Sequence, residues 1–368
     1  MYLSQDYSTR LRLPCQVPVL YGKIKYCMDT KNTPITQQPP KMVQALLKGF
    51  NTVANHAYLI LFPFLLDVFI WLGPNLSTNK TLGMFMEFLK KSMTESLQQP
   101  AVVEQFKAIE PEITNFISSF DLFGFLNTQP IGVPSLIAFQ NILQTPFGSV
   151  QKIITTSFLE EFVFFLLILL IGSVLGGIYF SEIGRFCSLN QDEQAFSINR
   201  LLMNVAWLVL INVSIWVLIL LILFPSMTVI VLISMISGMI GSIANFLLLL
   251  LIFWMLIPLI FTPHGVIILH QDPFKAMLGS IRLIRYYLPG TGFFILFSLL
   301  IYQGFNQFLW LKPAINSYML LGGIFGHAFI CTGLLAASFM YYQDGLRWMN
   351  HNLKMIAKQP TTERPYQA

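Results

Sequence analysis

From Leu201 to Phe261 the chain runs for 61 residues without one Asp, Glu, Lys, Arg or His. A hydrocarbon span needs only about 20 apolar residues, so no soluble core accounts for an uncharged run three times as long. The run belongs in a bilayer, where helices and closed barrels alone keep their backbone polar groups paired. Charged residues make up 11 % of the whole chain, against about 25 % in soluble domains. The expected fold is all-α, a polytopic transmembrane helix bundle.

Apolar segments near 54–73, 160–180, 201–224, 242–262, 290–311 and 317–341 mark the spans. As one helix the uncharged run would extend about 90 Å, so it must break. Pro225 and the cluster Ser237, Gly238, Gly241 and Ser242 offer the places. Two spans with a connection, or three spans, would both fit the length. The basic residues decide. With two, segments 1–50, 181–200, 263–289 and 342–368 share a side and hold 16 of the 22 Lys and Arg, whereas the short opposite connection near 312 holds only Lys312. Cations mark the cytoplasmic side. The expectation is six spans in the cell (inner) membrane, with N- and C-termini cytoplasmic. Residues 225–241 then turn back at the outer side as a short re-entrant or interfacial turn, broken near Ser237–Gly241. The net charge of +5 is topogenic, and no nucleic-acid partner is expected.

Five regions follow. Residues 1–40 form a poorly ordered cytoplasmic arm, rich in proline. Residues 41–74 carry an in-plane helix and the first span, with Tyr58 and Trp71 as interfacial anchors. Residues 75–159 form an outer loop with two amphipathic helices, on Leu82 to Leu97 and Val102 to Phe120, which cap the outer side. The remainder of that loop, 121–155, reads as irregular. Residues 160–341 form a five-span bundle, and 342–368 a cytoplasmic tail. The opening residues lack an apolar signal core, so no cleavable signal is expected. Gly172-xxx-Gly176, Gly322-xxx-Gly326 and Gly333-xxx-Ala337 are expected to bring helix backbones together within the bundle.

Catalytic signatures are missing: there is no GxxxxGK[ST], HExxH or GxSxG. Cys15, Cys27, Cys187 and Cys331 form no CxxC pair and read as reduced structural thiols. His264, His270 and Asp272 come nearest to a metal set, but their spacing aligns ligands badly, so neither metal nor cofactor is expected. Polar groups within the spans remain: Asp67, Glu160, Glu161, Gln303, Asn306, Gln307 and His327. Ionisable groups in hydrocarbon face the bundle interior and pair. In one reading they line a polar vestibule open to the outside, with Asp67 and His327 at its centre. In the other, preferred here, they hydrogen-bond between helices, with Asp67 tied to the fifth or sixth span and shut from water. At the cytoplasmic side, Lys275, Arg282 and Tyr286 share one face of a helix and Met277, Ile281, Ile284 and Leu288 the other. Such a helix lies in the membrane surface and offers Lys275, Arg282 and Arg285 to anionic lipid headgroups.

The stretches HGVIILHQDPFKAMLGSIRLIRYYLPGTGFFILFSLL and LLAASFMYYQDGLRW resemble the membrane domain fused to some glycerophosphoryl diester phosphodiesterases and its stand-alone relatives, uncharacterised multi-span bacterial proteins. LILFPFLLDVFIWLGPNLS resembles the first span of such proteins. Ser280, Arg282, Arg285, Tyr342, Asp344 and Arg347 occupy the matching places. The resemblance covers about a third of the chain and implies the topology. No phosphodiesterase domain accompanies it here, so it implies no catalysis. The expected function is non-enzymatic: a scaffold, partner-binding or lipid-interacting membrane protein, with membrane lipids as partners. The alternative is a transporter of a small solute or lipid through the outer vestibule.

Overall fold

The computed structural model describes residues 39–77, 121–128, 130–140, 142–155, 157–188, 196–311 and 313–358, with isolated positions between 83 and 111. The arm before residue 39, with Cys15 and Cys27, and the two amphipathic helices expected between 82 and 120 lie outside the described residues. What is described is an all-α bundle. Among the described residues five helices are long and apolar enough to cross a membrane, and the count reaches six when the bent pair 42–55 and 57–72 is taken as one span.

That pair comprises α1 (Met42–Asn55), a 3-10 turn (Ala57–Ile60) and α2 (Leu61–Leu72), bent by 95° at His56. Turn and α2 together rise only about 26 Å, just short of a hydrocarbon core. The long partner of α1 is α9 (Leu320–Lys358). Lys48 pairs with Asp344 at 3.0 Å, Gly49 lies against Ala337, and Phe50 against Gly333 and Phe329, so the two helices run antiparallel. A Cβ on Gly49 would sit 2.3 Å from the Ala337 backbone nitrogen, which is why this contact takes glycine. The expected Gly333-xxx-Ala337 seam is thus filled by α1. Trp71 is 1 % exposed and donates its indole N–H to the Ile315 carbonyl at 2.7 Å, so it is a buried strut and no interfacial anchor.

The excursion after α2 is closed at its neck. Strand β1 (Asn75–Ser77) pairs in parallel with β4 (Lys152–Ile154), and a two-residue hairpin, β2 (Gln144–Thr145) with β3 (Gly148–Ser149), lies just before β4. Thr155 donates to Glu161 at 2.5 Å and to the Ser77 carbonyl at 3.3 Å, tying the neck to α3 (Phe158–Cys187). Residues 121–155, expected to be irregular, are therefore partly ordered by these short pairings and by a 3-10 turn at Leu122–Leu126.

The uncharged run makes a hairpin. Helix α4 (Ile198–Ile236) continues through Pro225, and α5 (Gly238–Leu256) folds back at Ser237. The expected break is present, but residues 226–236 extend α4 instead of forming a separate turn. In lipid a helical proline costs less than in water, because neighbouring groups satisfy the freed carbonyl. The return arm kinks at a 3-10 turn, Ile257–Leu259, and resumes as α6 (Thr262–Leu269). At 39 residues α4 measures about 58 Å, nearly twice the hydrocarbon thickness. Its far part stays apolar and exposed, with Phe224 at 78 % and Met239 on α5 at 76 %. Water would oppose such a surface at about 25 cal/mol per Å², so the hairpin tip is expected to lie in lipid. Cysteines placed at Phe224 and Met239, with the native cysteines replaced, should then resist a membrane-impermeant maleimide; rapid labelling at both would put the tip in water.

Helix α7 (Pro273–Tyr286) leads into α8 (Leu288–Phe305), which ends in a π turn, Asn306–Trp310. Trp310 packs its carbonyl on Gly323 and its ring on Gly326. Gly322, expected to share that contact, faces open space. The main apolar core joins α2, the 121–142 segment, α3, α4, α6 and α9.

Candidate functional site

Asp67 lies on α2 and is fully buried. Its partners come from the loop, not from the fifth or sixth span. Ser135 donates its hydroxyl to Asp67 Oδ1, the Leu136 N–H points at both carboxylate oxygens at 3.0 Å, and the Ile137 N–H donates to Oδ1 at 3.4 Å. One carboxylate thus gathers the successive donors of an irregular backbone. The segment it holds is itself inside the protein: Ile131, Val133, Ile137 and Ala138 are all buried.

How deep this segment goes follows from its contacts on α3. A Cβ on Gly172 would meet the Leu126 carbonyl at 2.6 Å, and one on Gly176 the Gly132 Cα at 2.6 Å. Gly172 and Gly176 lie 12 and 16 residues beyond Glu160, or about 18 and 24 Å along the helix. The loop therefore packs against the middle of α3, a helix long and apolar enough to cross a membrane. The small-residue pair on α3 was expected to receive another helix; it receives this loop. Non-helical backbone at such depth survives only where protein shields it. Asp67 supplies part of the shield. Asn212 of α4 supplies another, donating to Ser173 Oγ at 2.8 Å and to the Ile131 carbonyl at 3.4 Å, and Thr128 donates to the same carbonyl at 3.3 Å. At the loop's entrance Asp121 accepts from the N–H groups of Leu76 and Phe123, and its burial raises its pKa above the ordinary carboxylate range despite those bonds.

The polar groups expected to share one vestibule fall into separate places. Glu161 serves the neck through Thr155, and Glu160 sits in the first turn of α3, where a carboxylate complements the helix dipole. His327 and Asn306 do meet, both buried, with His327 Nδ1 and Asn306 Oδ1 2.8 Å apart. Since Asn306 presents its carbonyl oxygen, Nδ1 carries the proton, and Nε2 accepts from the Cys331 thiol at 3.4 Å. Gln303 and Gln307 are exposed on the outward side of α8 and the π turn, a correction to their expected place. The inward stripe of α8 is Thr291 and Phe294, continued by Asn306, and the two glutamines fall off it. Cys187 and Cys331 are free and buried, as structural thiols are. His264 turns inward to Ser338 at 2.7 Å, and Asp272 pairs with Lys275 at 2.8 Å. Among the described residues no group of three His, Cys, Asp or Glu could hold a metal.

At the end of the bundle that carries the basic residues, Ser280 fixes α7. Its hydroxyl accepts from the Phe261 N–H at 3.1 Å and donates to the Pro258 carbonyl at 2.7 Å, satisfying backbone groups freed by the kink between α5 and α6. This staple sets the rotation of α7. Ala276, Ser280, Leu283 and Ile284 face the protein, so Ile284 is not on a lipid face as expected. Outward point Phe274, Lys275, Leu278, Arg282 and Arg285. Among the described residues neither Arg282 nor Arg285 has an ion-pair partner. The pair made by Lys275 is exposed on both sides and is worth little. Asp344 joins Lys48 at 3.0 Å and Arg347 at 3.4 Å. Comparison with known protein families, with curated proteins and with solved structures finds no match.

Proposed function

We propose that this multi-pass membrane protein is non-enzymatic and works by engaging anionic lipid at its basic, cytoplasmic end. The observation that carries the reading is the outward face of α7, where Phe274 and Leu278 stand beside Lys275, Arg282 and Arg285. An apolar side chain flanked by cations suits the headgroup boundary, with the ring or leucine in the acyl layer and guanidinium groups at phosphates. The Ser280 staple makes that face rigid, so its geometry does not have to be ordered on binding.

Transport through an outer vestibule has less support. The space it needs holds the buried segment around Ile131 to Ile142, and Asp67 is turned to that segment.

The test is lipid selectivity in nanodiscs of mixed phosphatidylglycerol and phosphatidylcholine, read with spin-labelled lipids. Each surface cation contributes about 1 kcal/mol, so Arg282→Gln with Arg285→Gln should cut the preference for phosphatidylglycerol roughly 25-fold at the affected sites. Unchanged selectivity in a folded double variant would refute the reading.

A further inference from the structure

Helix α8 gives only one stripe to the bundle. Thr291, Phe294 and Asn306 are buried, and the opposite side of the helix is bare. On that side Gly292, Leu296, Leu299 and Gln303 follow at intervals of four, three and four residues, and all are exposed. Leu300 and Gln307 flank the same line and are exposed as well. Alternation of three and four is the seam spacing of helices that pack side by side.

Two features set this face apart from a plain lipid-facing one. The first is the pair of amides. They belong to Leu288–Trp310, which is long and apolar enough to cross a membrane. A primary amide carries two N–H donors and an acceptor oxygen, and hydrocarbon can pair with none of them. Polar side chains in a span therefore turn to protein partners. Asn306 does so, meeting His327 at 2.8 Å. Gln303 and Gln307 point away from the bundle, and no hydrogen bond within the described residues engages either side chain. The second feature is room. Nothing lies within 4 Å of a Cβ position on Gly292 or Gly304. A hollow with about 580 Å³ of empty space, bordered by Leu300, Gly304 and Leu309, opens beside the seam.

We infer that this face of α8 binds the same face of a second copy of the chain, forming a two-fold dimer. The amides select the partner. Two copies inserted in the same sense bring their α8 helices together in parallel, so each seam residue meets its own equivalent. A glutamine facing a glutamine is self-complementary, because each N–H donates to the other's carbonyl oxygen. An acceptor-only or donor-only partner would satisfy half of each amide. Leu296 and Leu299 continue the contact away from the amides, and the open hollow receives the flanking side chains. A polar residue at one seam position also fixes the register, as it does in coiled coils. The dimer is independent of the α7 reading, which concerns a different helix.

The test uses the full-length protein with its native cysteines replaced and one cysteine returned at Leu296, Leu299 or Phe297. Leu299 and Phe297 are equally exposed, at 45 % and 44 %, but Phe297 lies off the seam. Oxidation with copper phenanthroline in phosphatidylcholine vesicles should give a covalent dimer at 296 and 299 and little at 297. Energy transfer between labelled copies, followed as lipid dilutes the protein, then measures the association. Gln303→Ala with Gln307→Ala should weaken it roughly 50-fold, the loss of four interhelical hydrogen bonds at their average strength in membranes. Both positions are exposed, so the double variant should melt like the parent in detergent. Arg282→Gln with Arg285→Gln should leave the association unchanged. Equal cross-linking at 297 and 299, energy transfer no greater than random collision gives, or an association that the glutamine substitutions leave intact would each overturn the inference.

Discussion

Asp67→Ala should destabilise the protein by about 2–6 kcal/mol, the cost of stranding two buried N–H donors at about 1–3 kcal/mol each. The donors are the N–H groups of Leu136 and Ile137, which have no solvent to turn to. The Ser135 hydroxyl can rotate to another acceptor and adds less. Asp67→Asn should cost less than alanine. Oδ1 alone reaches all three donors, whereas Oδ2 only shares the Leu136 N–H. An amide with its carbonyl in the Oδ1 place keeps most bonds and meets Leu136 donor to donor at the other. The order of melting temperatures in detergent is therefore parent, asparagine, alanine. Hydrogen exchange at Leu136 and Ile137 should speed up in the same order. An alanine variant that melts with the parent and protects those amides equally would show that the carboxylate does not hold the loop.

Asp67 also shows how far the sequence could be read. Its burial was legible, because a lone carboxylate inside an apolar span has no cheap alternative to an interior partner. The partner was not legible. Residues 121–142 have neither a period of 2 nor of 3.6, and their Gly, Pro and Asn content is the usual mark of a solvated loop. Burial of such a segment depends on what surrounds it, here α2, α3 and α4, and no local pattern encodes that. Gly172 and Gly176 carried half the message: their spacing says that some backbone comes close, but not that it is a loop. The glutamines failed for a different reason. Gln303, Asn306 and Gln307 are neighbours along the chain, yet only Asn306 falls on the inward stripe, where the π turn begins. On α7 the cations Lys275, Arg282 and Arg285 are exposed, while the rotation of its apolar residues depends on the Ser280 staple to the Pro258 carbonyl, 22 residues away. The helices and their ends came from solvent preference. What lies between them came from tertiary fit.

Gly176→Val should be comparably damaging, because it removes the space the loop occupies. Helix propensity and packing give opposite signs here, which makes the outcome decisive. Replacing a mid-helix glycine by alanine stabilises an exposed helix by about 1 kcal/mol. At Gly176, however, a Cβ would stand 2.6 Å from the Gly132 Cα and 2.7 Å from the Ile131 carbonyl oxygen. Both are backbone atoms, so no side chain can swing away. Gly132 cannot retreat easily either, since its own surroundings place the Thr128 carbonyl oxygen 2.0 Å from a Cβ position. The loop must shift as a unit or leave, and overpacking of this kind costs about 3 kcal/mol or more for valine. Gly322 on α9 provides the contrast, with nothing within 4 Å of its Cβ position. Gly322→Ala should be neutral or stabilising by up to about 1 kcal/mol. A cysteine at Ser135, hidden in the parent, should become reactive to a small maleimide in Gly176→Val and stay hidden in Gly322→Ala. If Gly176→Val instead melts at or above the parent and keeps Ser135 shielded, the loop does not lie against α3, and that part of the bundle has the open space that the transport reading requires.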